Sequence, residues 1–149
     1  MINYQQAKKI LKKAKIQIQD EEILSKNSLN RVVAKDIISP SNHPLGDNAA
    51  FDGFAINSKD TQNLNKKNSK QFRILGSIAA GNKPFNKKVK KFDAIEIMTG
   101  GIISKPFNTI IPIEKVDFYP TKQNPKFIII DHKVSKYNHI RFKGSDYKK

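Results

Sequence analysis

The stretch DNAAFDGFA, residues 47–55, joins a polar loop to an apolar segment and marks where the chain changes character. Before it, Pro44 and Gly46 are typical of a loop, which we predict over residues 41–52. After it, short apolar runs separated by turn-forming residues indicate β-strands. The predicted strands are Phe54–Ile56, Phe72–Leu75, Ala94–Met98, Thr109–Ile113 and Phe127–Ile130.

The residues that link these strands are predicted from their composition. Residues 63–70 form a charged connector, residues 81–84 form a turn, and residues 120–125 form a loop typical of a hairpin. The chain shows no internal repeat. A mainly β region is therefore predicted for most of the chain.

The segment before residue 40 is predicted to begin with a helix. Apolar side chains over residues 3–17 recur with the spacing of one helical face, which predicts an amphipathic helix. Residues 22–37 predict a short strand, a helical turn near Ser28–Arg31, and a second strand through Val32, Val33 and Ile37. The fold class predicted for the chain is α+β and predominantly β, with irregular coiled sheets and an N-terminal amphipathic helix.

The net charge of +15 points first to a polyanionic partner. Only three of the 28 basic residues are arginine, although arginine is favoured by proteins that recognise base sequences. Lysine, asparagine and isoleucine share A/T-rich codons, so a bias in genome composition would explain much of the charge. We favour a composition bias and keep a basic β module that binds single-stranded nucleic acid as an alternative.

Composition also limits the cellular setting. The 149 residues suffice for one ordinary domain or two small ones, and cysteine is absent, so disulfides are excluded. No apolar run approaches the roughly 20 residues of a membrane helix, and the first residues lack a secretory signal. A cytoplasmic location without a membrane partner is the expectation.

The first candidate site motif is the Asp52–Gly53 pair directly before an apolar strand. Aspartate and glycine at this position are typical of a turn, in which glycine adopts a positive φ. A carboxylate at a loop–strand junction is also suited to approach a divalent cation. The residues alone leave these two interpretations equally open.

Two further motifs follow strand-like segments. Thr99-Gly100-Gly101 comes after an apolar run and suits an oxyanion if its backbone N–H groups are exposed, although a plain turn is the commoner explanation. Arg141 and Lys143 alternate along a predicted strand and would share one face. The three histidines lack metal-ligand spacing, and no nucleotide-binding or hydrolase signature occurs.

These motifs resemble the N-terminal region of the molybdopterin molybdenumtransferases, the family of MoeA and the gephyrin E domain. The family patterns are D-N-S-A-M-D-G-Y-A, A-G, I-M-T-G-A and N-I-R-x-x-G-E-D. This sequence has DNAAFDGFA from Asp47, AG at residues 80–81, IMTGG from Ile97 and HIRFKGSD from His139. LNRVVAKD from Leu29 is similar to L-G-R-V-L-A-x-D, and Glu114 matches the acid of V-V-x-x-E.

The resemblance implies a site and a reaction. Asp52, Thr99 and Asp146 are the implied catalytic residues, and Asp52 and Asp146 are the implied Mg²⁺ ligands. The implied substrate-binding residues are Asp47, Asn48, Gly53, Gly100, Arg141 and Lys143. The reaction implied is transfer of molybdenum from molybdate to adenylylated molybdopterin, with Mg²⁺ as cofactor, in molybdenum cofactor biosynthesis.

The resemblance also implies an organisation. Residues 1–40 and 138–149 would form part of an outer linking subdomain, and residues 41–137 an inserted mixed α/β subdomain. The family's central domain, which binds the pterin nucleotide, has no counterpart here. The family enzyme is implied to be a homodimer with its site between subunits, so this chain would supply one wall and be inactive alone.

Five positions depart from the family patterns, and one of them is Gly46, which replaces a bulky residue. Asn30 replaces a glycine, and asparagine is the next-best residue for a left-handed conformation. Ala49 replaces a serine, Glu96 stands where a basic residue is common, and Ser145 replaces the glutamate of G-E-D. These changes leave open a non-catalytic assembly fragment of the same family as a second alternative.

Overall fold

A computed structural model describes residues 1–15 and 18–149. The chain divides into two compact units, Met1–Ile38 and Ser39–Lys149. Across the described residues, no helix is both long enough and apolar enough to span a membrane.

The first unit begins with helix α1, Tyr4–Lys13. Asn3 caps its start: the Asn3 side chain accepts a hydrogen bond from the backbone of Gln6, and the Gln6 side chain accepts one from the backbone of Asn3. Lys12 and Lys13 occupy the last turn, where positive charge is favourable. The predicted helix is confirmed over most of its length; its last two predicted residues, 16 and 17, lie outside the described residues.

The two strands predicted within residues 22–37 are wrong. The described segment contains a 3-10 helix at Ser25–Asn27 and otherwise turns and irregular backbone. Val32 and Ile37 are 94% and 85% exposed. A strand requires a neighbour for its backbone hydrogen bonds, and within this unit the segment pairs with none. Asn30 adopts the expected left-handed conformation, with φ of 63°.

The second unit contains eight strands, two of them in a small separate sheet. The strands are β1 Asn48–Ala49, β2 Gly53–Ile56, β3 Lys70–Ile78, β4 Asp93–Ile97, β5 Thr109–Pro112, β6 Asp117–Pro120, β7 Pro125–Ile130 and β8 Ile140–Arg141. Short 3-10 helices occur at Ser58–Thr61 and Ile113–Lys115. Over residues 1–15 and 18–149 the fold is therefore predominantly β with one α-helix, as predicted.

Six strands form the main sheet in the order β5-β2-β4-β3-β7-β6. Strands β3 and β4 are parallel, and the other neighbours are antiparallel. Each of the five predicted apolar runs falls largely within one of these strands. The predicted hairpin loop at residues 120–125 is confirmed because it joins antiparallel β6 and β7. The sequence did not predict β6, because β6 is a mostly exposed edge strand that ends in proline.

Apolar side chains cover both faces of the main sheet. Strand β2 is buried throughout, and its side chains alternate: Phe54 and Ile56 join one core cluster, while Ala55 joins the other. The first cluster includes Phe72 and Ile128, which are fully buried. Burial on both faces fixes the register of the central strands, since a shift by one residue would exchange every side chain between the clusters.

The second sheet joins β1 to β8 and ties residues near the end of the chain to the loop before β2. It places residues 138–149 in the same compact unit as residues 41–137. The assignment of residues 138–149 to an outer subdomain stays a prediction. The predicted strand through Lys143 is too long, because β8 ends at Arg141 and a turn follows.

Candidate functional site

The strand register brings Asp52 and Thr99 together. β2 and β4 are antiparallel, with Gly53 opposite Ile97. The residue before β2 therefore lies beside the turn that follows β4. Two residues separated by 47 positions become neighbours at one end of the sheet.

Thr99 makes two hydrogen bonds to the same oxygen of Asp52. Its backbone N–H donates to Oδ1 at 2.6 Å, and its hydroxyl donates to Oδ1 at 2.7 Å. Both bonds lower the pKa of Asp52 below its ordinary value of 3.8, and the bond from the hydroxyl contributes more than the bond from the backbone. Desolvation raises the pKa by less than these bonds lower it. The carboxylate is exposed and stays ionised at neutral pH.

The turn after β4 uses its backbone donors within the protein. The N–H of Thr99 donates to Asp52, that of Gly100 to the carbonyl of Ala49, and that of Gly101 to the carbonyl of Met98. Gly100 has φ of 81°, which glycine adopts at little cost. The interpretation as an exposed oxyanion cradle is therefore wrong for the backbone donors, and the turn interpretation is confirmed.

Gly53 is needed for packing and not for an unusual backbone angle. Its φ lies outside the left-handed region, contrary to the predicted turn. A Cβ atom at this position would lie 2.1 Å from the carbonyl oxygen of Ile111 on β5. The close approach of β2 and β5 thus excludes a side chain directly beside Asp52, and it holds the aspartate backbone against the sheet.

A second polar contact lies in the segment after β8. The guanidinium of Arg141 donates to Oδ2 of Asp146, and the hydroxyl of Ser145 donates to Oδ1 at 3.3 Å. The Arg141 hydrogen bond is the main cause that lowers the pKa of Asp146, and the charge of Arg141 and the Ser145 hydrogen bond add to it. Ser145, which replaces the family glutamate, therefore still contacts the neighbouring carboxylate.

The side chain of Asp47 contacts the backbone of Lys143. The backbone N–H of Lys143 donates to Oδ1 of Asp47 at 2.9 Å, and the carbonyl of Asp47 accepts from Ile103. Asp47 therefore connects the loop before β1 to the turn that follows β8. The side chain of Lys143 is exposed beside this turn.

Strand β1 connects the two polar pairs. On one side Asn48 and Ala49 are opposite Arg141 and Ile140 of β8. On the other side Ala49 exchanges backbone hydrogen bonds with Gly100 and Gly101. The structure thus forms two polar contacts, Asp52 with Thr99 and Arg141 with Asp146, and β1 lies between the two contacts. The two aspartates do not share a contact.

His43 is a neighbour of this site that the sequence did not indicate. Its ring stacks on Tyr147, and its Nε2 lies 3.9 Å from Oδ2 of Asp146. His43 precedes the first motif in a loop, and no spacing signal connects it with Asp146. Throughout residues 1–15 and 18–149, no three His, Asp or Glu side chains are grouped to hold a metal ion.

A family model described as the MoeA N-terminal region, domains I and II, matches residues 2–149. This chain belongs to the MoeA N-terminal family. Curated relatives include a molybdopterin molybdenumtransferase of Haemophilus influenzae, 35% identical over 117 residues, and one of Staphylococcus aureus strain Mu50, 31% identical over 121 residues. These alignments cover 78% and 81% of this chain, but only 28% and 27% of the relatives.

Solved structures agree with the family assignment. A molybdopterin biosynthesis MoeA protein from Pyrococcus horikoshii OT3 superimposes with a TM-score of 0.76 at 30% sequence identity. The superposition covers 87% of this chain and 32% of that protein. The chain thus spans somewhat more than a quarter of the curated relatives it matches. The resemblance found in the sequence is confirmed.

Proposed function

We propose that this chain is the N-terminal part of an enzyme that inserts molybdenum from molybdate into adenylylated molybdopterin. The complete protein would work in the cytoplasm as a homodimer. This chain would supply one wall of a site between subunits, and by itself it would be inactive. Family membership supports the pathway, while the residue roles rest on the geometry around Asp52.

The observation that carries the proposal is the Asp52–Thr99 contact. Two hydrogen bonds to Oδ1 fix the orientation of the carboxylate and favour its ionised form. An ordered carboxylate at an exposed sheet end costs little to bring against a substrate. A turn alone would not require the Thr99 hydroxyl, because the backbone N–H already bonds to the same oxygen.

The positive charge of the chain is consistent with the anionic substrates that we propose. Molybdate and adenylylated molybdopterin are both anions, and bringing them together requires neutralisation. Lys143 presents an exposed ammonium group beside the Asp47 loop, and the net charge of +15 supplies an attractive field. Arg141 is paired with Asp146, so its first role here is to orient that carboxylate.

The two carboxylates, Asp52 and Asp146, would supply only some of the ligands of a bound Mg²⁺. Mg²⁺ in phosphate chemistry is commonly bound through one or two protein carboxylates together with substrate oxygens. Asp52 fits this role because it is exposed and ionised and because, among the residues that the structure describes, hydrogen bonds reach only its Oδ1. Asp146 fits it less well because both of its oxygens accept hydrogen bonds from Arg141 and Ser145. When bound, Mg²⁺ would neutralise charge on the substrates.

The test is Asp52→Asn in this chain joined to the central and C-terminal regions of a relative. Asparagine keeps the shape and the Thr99 contact but removes the charge. We expect insertion activity to fall by more than about tenfold, equal to 1.4 kcal/mol of barrier. The unjoined 149-residue chain should show no insertion.

Asp131→Asn is the matched control. Asp131 is also exposed, and the hydrogen bond from His132 lowers its pKa, but it lies outside the motifs. It should keep full activity in the joined protein. Equal activity of the two variants would reduce Asp52 to a turn residue, and insertion by the unjoined chain would contradict the one-wall proposal.

Nucleic acid is not a proposed partner. Nonspecific attraction by lysines predicts weak binding to single-stranded DNA or RNA that disappears between low and physiological salt. A filter-binding titration over that salt range tests this. Submicromolar binding with base preference at physiological salt would instead favour the single-stranded nucleic-acid alternative.

A further inference from the structure

A cleft in the second unit lies apart from the Asp52–Thr99 contact. Its volume is about 490 Å³, within the usual range of small-molecule sites. One wall is apolar and consists of Ile103, Pro106, Phe107, Tyr137 and Ile140. The polar lining residues are Asp47, Asn57, Ser58, Lys59, Lys105, Asn108 and Lys136.

The polar lining carries an excess of positive charge. Lys59, Lys105 and Lys136 line the cleft, and Asp47 is the acid among the lining residues. Across residues 1–15 and 18–149, these three lysines form no salt bridge. Lys136 also lies over the ring of Tyr137, with its Nζ 4.4 Å from the ring centre, which holds the ammonium at the cleft wall. Three lysines against one aspartate leave a charge of +2.

Two asparagines add neutral donors. Oδ1 of Asn57 accepts the backbone N–H of Lys59 at 3.1 Å, and Oδ1 of Asn108 accepts the backbone N–H of Ser58 at 2.8 Å. A backbone N–H can donate only to the carbonyl end of an amide side chain, so these contacts fix the orientation of both. The end of each side chain left for a ligand is therefore the NH₂ donor. Donors and cations together favour an anion with several oxygens.

We propose that this cleft binds a small phosphate monoester, with the phosphate near the lysines and asparagines and the organic part against the apolar wall. The excess of two positive charges matches a phosphate dianion. A volume of about 490 Å³ exceeds what a free inorganic phosphate fills, and the apolar wall requires an organic group. The cleft shares Asp47 with the implied substrate-binding residues, but none of the residues tested below belongs to that set. Failure of this proposal can therefore be distinguished from failure of the proposed insertion chemistry.

The probe is phenyl phosphate, compared with inorganic phosphate and phenol. Calorimetry and amide NMR spectra of the whole 149-residue chain give affinity and location. We expect phenyl phosphate to shift the signals of Ser58, Asn108 and Tyr137 at lower concentration than either part alone. Equal affinity for inorganic phosphate would contradict the apolar half of the site. Shifts spread over lysines throughout the chain would contradict the whole proposal, because they would report general attraction to a cationic surface.

Asn57→Asp is the decisive variant. Aspartate keeps the oxygen that accepts the Lys59 N–H, but it replaces the NH₂ donor with a negative oxygen. Binding of phenyl phosphate should weaken by at least about tenfold. Asn65→Asp is the matched control, because Oδ1 of Asn65 accepts the backbone N–H of Lys67 at 3.0 Å in the same local pattern outside the cleft.

Lys136→Gln gives a second, independent measurement. Lys136 is exposed, so its replacement should leave folding unchanged while weakening binding by several-fold. Similar affinities for the Asn57→Asp and Asn65→Asp chains, or an unchanged affinity for Lys136→Gln, would overturn the assignment.

Discussion

The two compact units use similar apolar sequences with opposite results. In the first unit, Val32 and Ile37 are 94% and 85% exposed, and their segment forms no strand. In the second unit, Ile95 and Ile110 are 1% and 0% exposed within central strands. β-branched residues favour strands in both segments. A strand forms where neighbouring strands satisfy its backbone and a core covers its side chains, so local preference alone is insufficient.

The largest expected contrast between the units is in apolar packing. Ile110→Ala removes a fully buried side chain from the second unit and should lower the free energy of unfolding by about 3 kcal/mol. Val32→Ala should change it by less than about 0.5 kcal/mol, because that side chain is already exposed. Urea unfolding followed by circular dichroism measures both. A loss at Val32 as large as that at Ile110 would mean that the first unit has a packed core.

A smaller contrast is expected between ion pairs. Arg73 donates to both oxygens of Asp93, whose side chain is 3% exposed, at 3.0 and 3.2 Å. Arg73→Gln leaves a buried carboxylate with fewer partners and should cost about 2 kcal/mol. In the first unit, Arg31 and Glu21 are 58% and 57% exposed. Arg31→Gln should therefore cost less than about 0.5 kcal/mol in the same urea experiment. Equal losses of unfolding free energy would show that burial of Asp93 does not make its ion pair more stabilising than the exposed pair.

The smallest expected effect is a pKa change within the second unit. Thr99→Val removes the hydroxyl that contributes most to lowering the pKa of Asp52, while the backbone hydrogen bond remains. The pKa should rise toward 3.8 without reaching it. The stabilisation from this contact is present above the unfolded pKa and is lost as pH falls through the lowered folded pKa. Carbon-13 NMR titration of the Asp52 carboxyl measures the change.

Thr121→Val is the control for that titration. The Thr121 hydroxyl accepts a hydrogen bond from Asn124 in the β6–β7 loop, away from Asp52. It should leave the pKa of Asp52 unchanged. If both threonine variants shift that pKa alike, the Thr99 hydroxyl is not its cause.

The features predicted correctly from the sequence are those whose physical cause is local in the chain. The helix over Tyr4–Lys13 follows from apolar periodicity, and the left-handed Asn30 follows from one substitution in a motif. The five apolar runs gave the strands of the main sheet apart from its edge strand β6. The motif residues also predicted the family, which the matching family model and the curated relatives confirm.

The sequence by itself determined which segments are apolar enough to become strands and which polar residues lie at their ends. Only the tertiary structure decided that Asp52 bonds to Thr99, that Arg141 pairs with Asp146, and that Gly53 is required by the approach of β5. It also decided that residues 22–38 form no strand within their unit. The physical reason is that hydrogen-bonded pairing and close packing depend on residues distant in the chain, which periodicity and turn preference do not specify.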